Sequence, residues 1–149
     1  MGQRGELLMR KKVLIANIAL LLWFALDMTG FSVKEKVLVT QAYKDDGVFF
    51  VVFILSIILF YSYEKLGKYI LNIWLFMWFI IQFYFHWVFT IFGPWEGKRN
   101  YFSNTIKLID SDKVYVPDLY HIILHILILA ALILTSYYIY SVKKQKDAL

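Results

Sequence analysis

The sequence contains no cysteine. Its absence excludes disulfides, thiolate metal ligands and cysteine nucleophiles, and leaves the redox compartment undetermined. Proline is scarce, with only Pro94 and Pro117, and the seven glycines follow no repeating pattern. No GxGxxG, phosphate loop or GxSxG stretch occurs, so nucleotide binding and the serine-hydrolase elbow have no support. Nor does a pair of Gly/Pro-broken apolar segments mark a transport pathway. Charged residues make up 18% of the chain, below the roughly one quarter of an ordinary soluble domain.

What fills the space is apolar. Of 149 residues, 60% are hydrophobic and 19% aromatic, with a mean hydropathy of +0.60. A soluble fold of this size would expose large apolar patches, so a membrane protein is expected. The net charge of +5 does not point to nucleic acid, because the basic residues flank apolar runs instead of forming one patch.

Crossing about 30 Å of hydrocarbon takes roughly 20 apolar residues in a helix. Four runs qualify: 13–33, 47–63, 69–93 and 119–142. Helices are expected because an open strand edge in lipid leaves backbone groups unsatisfied. The expected fold is an all-α, antiparallel bundle of four transmembrane helices in one domain covering 1–149. Cleavage of the first run as a signal peptide is not expected, since no small-residue cleavage pattern follows it and Asp27 interrupts it.

The stretch "EKLGK" reads as a short turn between runs two and three. Segment 94–118 is longer. Within it Tyr101, Phe102, Thr105, Ile106 and Ile109 share a helical face behind Asn100 as N-cap, which predicts a surface helix over 100–109. Tyr and Trp near the run ends, including Tyr115 and Tyr138, read as interfacial anchors.

Nine of the 16 Lys/Arg residues lie on one side: Arg4, Arg10, Lys11, Lys12, Lys65, Lys68, Lys143, Lys144 and Lys146. The bias places both termini in the cytoplasm. Low Gly and Pro with abundant Ile, Lys, Phe and Tyr suggests an AT-rich genome, hence a bacterial plasma membrane.

Polar residues inside the runs are the candidate site. At about 1.5 Å per residue, Asp27, His86 and His125 each lie roughly 9–10 Å below the same end, with His121 one turn above His125. Charged groups at such depth cost at least about 2–3 kcal/mol if they face lipid, so they normally face the interior. Three imidazoles and a carboxylate suit a divalent metal such as Zn²⁺, with His86, His121, His125 and Asp27 as ligands. Without metal, Asp27 and His86 are candidates for acid/base catalysis. Gln82 and Thr90 continue the His86 stripe as supporting or substrate groups. Lys98 and Arg99 could hold a phosphate or lipid headgroup. Asp118 is the expected N-cap of run four. Run two carries only Ser56 and Ser62 among its apolar residues and is assigned to lipid contact and packing.

Three readings stay open. One is a membrane-embedded enzyme acting on a lipid or lipophilic small molecule at the outer leaflet. The second is an electron-transfer bundle holding haem b between His86 and His125. The third is a non-enzymatic accessory or protective protein whose histidines join helices within an oligomer or a larger membrane partner.

Overall fold

The computed structural model describes residues 3–147. Among them, four helices are long and apolar enough to cross a membrane. Helix α1 covers Gln3–Thr29 and α2 covers Tyr43–Ser62. Helix α3, Glu64–Phe83, continues through one π-helical turn, Tyr84–Val88, into α4, Phe89–Phe92. A short α5 spans Glu96–Tyr101. The last helix, α6, runs Leu119–Lys146. Helices α1 and α3 each pack against both α2 and α6. Between them lies a core of Leu20, Phe24, Phe53, Leu71, Trp78, Leu124 and Ile128. Outward-facing Ile, Leu and Phe stay exposed along the long helices.

Several boundaries differ from the sequence expectation. The first helix stops at Thr29, because Gly30 adopts φ 72°, the left-handed conformation that ends helices. Residues 31–33, expected inside the first span, form strand β1, Phe31–Val33, paired antiparallel with β2, Lys36–Val39. The second helix begins four residues early, at Tyr43, because Asp45 and Asp46 in its first turn complement the positive end of the helix dipole. "EKLGK" is not a turn. Only Tyr63 separates α2 from α3, and Glu64 to Lys68 form the first turn of α3. This tight junction needs Gly67. A Cβ there would lie 2.4 Å from the Phe60 backbone.

The helix expected over 100–109 is also corrected. The helical turn lies earlier, at Glu96–Tyr101, with Asn100 inside it. Beyond Phe102 the backbone pairs with β2 instead: Val37 N donates to Asn104 O (3.1 Å) and Ile106 N to Val37 O (2.9 Å). A strand partner for these backbone groups outcompeted the helical pattern of the side chains. Two tyrosines expected as anchors are core residues, Tyr115 and Tyr138 being 1% and 0% exposed.

At the end of the helices away from the β-hairpin, Glu64 meets Lys68 (3.8 Å) and Arg10 (3.7 Å), and Arg10 Nη2 donates to Tyr61 O (2.6 Å). Along α3 and α6, Ser136 Oγ donates to Asn72 Oδ1 (2.8 Å).

Candidate functional site

The hairpin end of the helices holds a cavity of about 650 Å³. Asp27, Asp46, His86, Asp118 and His121 line it, together with Gln82 and Lys98. Phe49, Trp78, Phe85, Tyr101 and Phe102 line it as well.

Each polar group is brought there by a local device. Ala42 N donates to Asp27 O (2.8 Å) and Gln41 Nε2 to Met28 O (3.3 Å). These bonds fold the chain after the hairpin back onto the end of α1. The first turn of α2 therefore lies beside Asp27, and the Asp27 and Asp46 carboxyl groups come within hydrogen-bonding reach of each other. Two carboxyl groups so close are compatible with one shared proton. Helix α2 thus brings a titratable group to this end from its first turn, just ahead of the expected second span.

Asp118 is the N-cap of α6. Its Oδ1 accepts from His121 N (2.9 Å) and also lies 2.7 Å from His121 Nδ1. A cap and an imidazole partner are thus one carboxylate. Asp118 is fully buried, and its Oδ2 has no hydrogen-bond partner.

The π-helical turn sets His86. Such turns add a residue to one helical turn and recur at functional sites. Here the wide turn buries His86 and lets its carbonyl accept from Thr90 Oγ1 (2.8 Å). Its ring stacks on His121 with centroids 4.1 Å apart, and His86 Nδ1 lies 2.6 Å from the Tyr115 hydroxyl. Burial, reinforced by the charge of Asp118, pushes the Tyr115 phenol above its ordinary range. It therefore stays an O–H, which can donate to Nδ1 or accept from it according to the His86 tautomer.

Lys98 reaches from α5 to the carbonyl of Phe85. Its ammonium lies over Phe89 (4.4 Å), Tyr115 (5.2 Å) and Phe85 (5.5 Å). Burial lowers its proton affinity from the ordinary lysine value, while the ring faces offset part of that cost.

The sequence candidates divide. Asp27, His86, His121, Gln82 and Lys98 line the cavity, whereas His125, Thr90 and Arg99 do not. The His125 ring lies 5.5 Å from that of His86, and its Nδ1 contacts the carbonyl of His121 on its own helix. Among the described residues no three His, Asp or Glu side chains form a set that could hold a metal ion, so the zinc expectation finds no ligand set. His121 covers one face of the His86 ring, and Tyr115 takes its Nδ1. Sequence reasoning missed Asp46 and Tyr115. Asp46 sat outside the expected second span, and Tyr115 resembled an interfacial anchor.

Comparison with protein-family models, curated proteins and solved structures finds no match for this chain.

Proposed function

We propose that the chain inserts as an antiparallel four-helix transmembrane bundle, with both termini cytoplasmic and the Asp27 end outside. In this reading the cavity belongs to a membrane-embedded enzyme that performs acid/base chemistry on a lipid or lipophilic small molecule. The ring of helix contacts and the apolar outer faces support insertion. The observation that carries the chemistry is the Asp118–His121 pair at the cavity wall.

An ionised carboxylate only accepts hydrogen bonds, so Asp118 fixes the His121 proton on Nδ1 and leaves the Nε2 lone pair as a base. His121 would then take a proton from a water or a substrate hydroxyl. The Asp27–Asp46 pair, holding one proton between two oxygens, would return a proton to the leaving group. A positioned base of this kind contributes about 10²–10⁴-fold in rate. The aromatic residues lining the cavity would hold the apolar part of the substrate and keep bulk water out.

The test is conversion of lipids by the full chain in nanodiscs, followed by mass spectrometry of a bacterial lipid extract. The wild type should generate a new product, and His121→Gln should slow its appearance about 100-fold or more. Conversion that survives both His121→Gln and Asp27→Asn would place the chemistry elsewhere. No conversion of any lipid class would leave a binding protein. One observation favours that second, non-enzymatic reading for one residue: the His125 ring turns back on its own helix, as a packing histidine does.

A further inference from the structure

We infer that His86 is a second catalytic group of this cavity, with its proton on Nε2 and donated as a hydrogen bond to a carbonyl oxygen of the bound molecule, and that Tyr115 is the residue that positions it. The inference rests on the enzymatic reading above and names the reacting group of its substrate.

Placement makes the first argument. His86 lies on the π-helical turn, is 6% exposed and lines the cavity. Its Nδ1 is taken by the Tyr115 hydroxyl at 2.6 Å. Its Nε2 has no hydrogen-bond partner among the described residues and is not sealed from the cavity.

The second argument concerns the donors at Tyr115. This residue is 1% exposed, and His86 is the one hydrogen-bond partner of its hydroxyl among the described residues. A neutral ring protonated on Nδ1 would donate to the phenol oxygen and leave the phenol O–H buried without an acceptor. A ring protonated on Nε2 accepts that O–H, and only oxygen lone pairs go unused. Orphaned buried donors are rarer than under-used acceptors, because an unmade bond leaves the full desolvation cost of the donor standing. Burial, reinforced by the charge of Asp118, keeps the phenol protonated, so the donor is present at neutral pH.

The third argument is the neighbouring ring. His86 and His121 stack with centroids 4.1 Å apart and 29° between their planes. His121 offers a basic Nε2, since Asp118 holds its Nδ1 proton. A base and a donor on stacked rings reach adjacent atoms of one molecule, as attack on a carbonyl requires. Water gives its proton to His121 Nε2 while its oxygen bonds to the carbonyl carbon. The carbonyl π pair moves onto the oxygen, and the bond from His86 Nε2–H strengthens as that charge develops. The His86 proton stays on its nitrogen throughout. A phosphate group suits the space less well, because the carboxyl groups of Asp27, Asp46 and Asp118 line it and repel an anion.

The full chain, labelled with ¹⁵N-histidine in maltoside micelles, is examined by two-bond ¹H–¹⁵N correlation at neutral pH. His121→Gln and His125→Gln each remove one ring from the spectrum and so assign the third. His86 should show the Nε2–H pattern, at least about fivefold over Nδ1–H. Tyr115→Phe should bring that ratio towards one with helical circular dichroism unchanged, which a purely packing role of Tyr115 would not do. The ketone 2-dodecanone, which cannot be hydrolysed, should bind with its carbonyl stretch moved to lower wavenumber. His86→Phe should abolish that shift and weaken binding about fivefold. The tautomer is read in the wild type, so it decides even where His86→Phe does not fold. An Nδ1–H pattern for His86 would overturn the inference. So would an unshifted ketone stretch in the wild type, or a shift that survives His86→Phe. An unchanged ratio in Tyr115→Phe would overturn the positioning role. None of these measurements needs turnover. Lipid conversion by a protein with Nδ1–H His86 would sink this inference alone, and the expected tautomer and ketone shift without lipid conversion would sink only the enzymatic reading.

Discussion

The imidazoles of His86 and His121 stack with ring centroids 4.1 Å apart, one on the π-helical turn after α3 and one on the first turn of α6. Each ring is oriented from outside the stack, His86 by the Tyr115 hydroxyl and His121 by Asp118. Two imidazolium ions at this separation would repel each other.

Asp118 carries both a cap and a histidine partner, so its replacement separates charge from capping. Asp118→Ala should cost about 1–2 kcal/mol through loss of the cap. Asp118→Asn should cost clearly less, because asparagine caps as well as aspartate. Thermal unfolding of both variants in the same detergent checks the order, and equal losses would mean that the cap contributes little.

Gly67 is a steric prediction. A methyl group there meets the Phe60 backbone at 2.4 Å, and backbone cannot turn aside as a side chain can. Gly67→Ala should destabilise by about 1–3 kcal/mol. Gly47 lies in α2 with nothing within 4 Å of its added Cβ. Gly47→Ala should be neutral, or stabilise by up to about 1 kcal/mol through helix propensity. Equal behaviour of the two variants would contradict the close α2–α3 junction.

Tyr115 gives a pH dependence with a definite sign. Its phenol holds its proton in the folded state beyond the ordinary tyrosine range, owing first to burial and then to Asp118. Above pH about 10 the unfolded chain loses this proton while the native chain keeps it. The native state then binds more protons, and stability falls as pH rises. Below that pH, Tyr115→Phe should be less stable than wild type by about 1 kcal/mol, from the lost bond to His86. The gap should narrow on going above pH 10. A gap that widens would show that the phenol ionises in the folded protein.

Helix pairing between α3 and α6 is testable at Asn72 and Ser136. A double-mutant cycle to alanine should give a coupling of about 0.6 kcal/mol, typical of hydrogen bonds between membrane helices. Zero coupling would mean that this contact is replaced by others without loss.

Orientation can be read chemically because the chain has no cysteine of its own. Single cysteines at Lys107 and at Lys65 should label from opposite sides of the membrane, Lys107 from outside intact cells. External labelling at Lys65 instead would invert the proposed orientation.

The four long helices were legible in the sequence because spanning capacity is a local property: about 20 apolar residues read as one segment wherever they occur. The similar depth of Asp27, His86 and His125, with His121 one turn above, was read for the same reason, since helical rise converts position into height. Height does not specify neighbours. Only the tertiary structure decided that Asp46 meets Asp27, because that depends on Ala42 bonding back to α1. It alone decided that Tyr115 turns inward to His86, and that His121 lines the cavity while His125, one turn along the same helix, does not. The π-helical turn and the pairing of β2 with residues 104–106 were hidden from periodicity. A one-residue slip in helical phase, or a backbone group that finds a strand partner, is settled by competition between distant segments for the same hydrogen bonds.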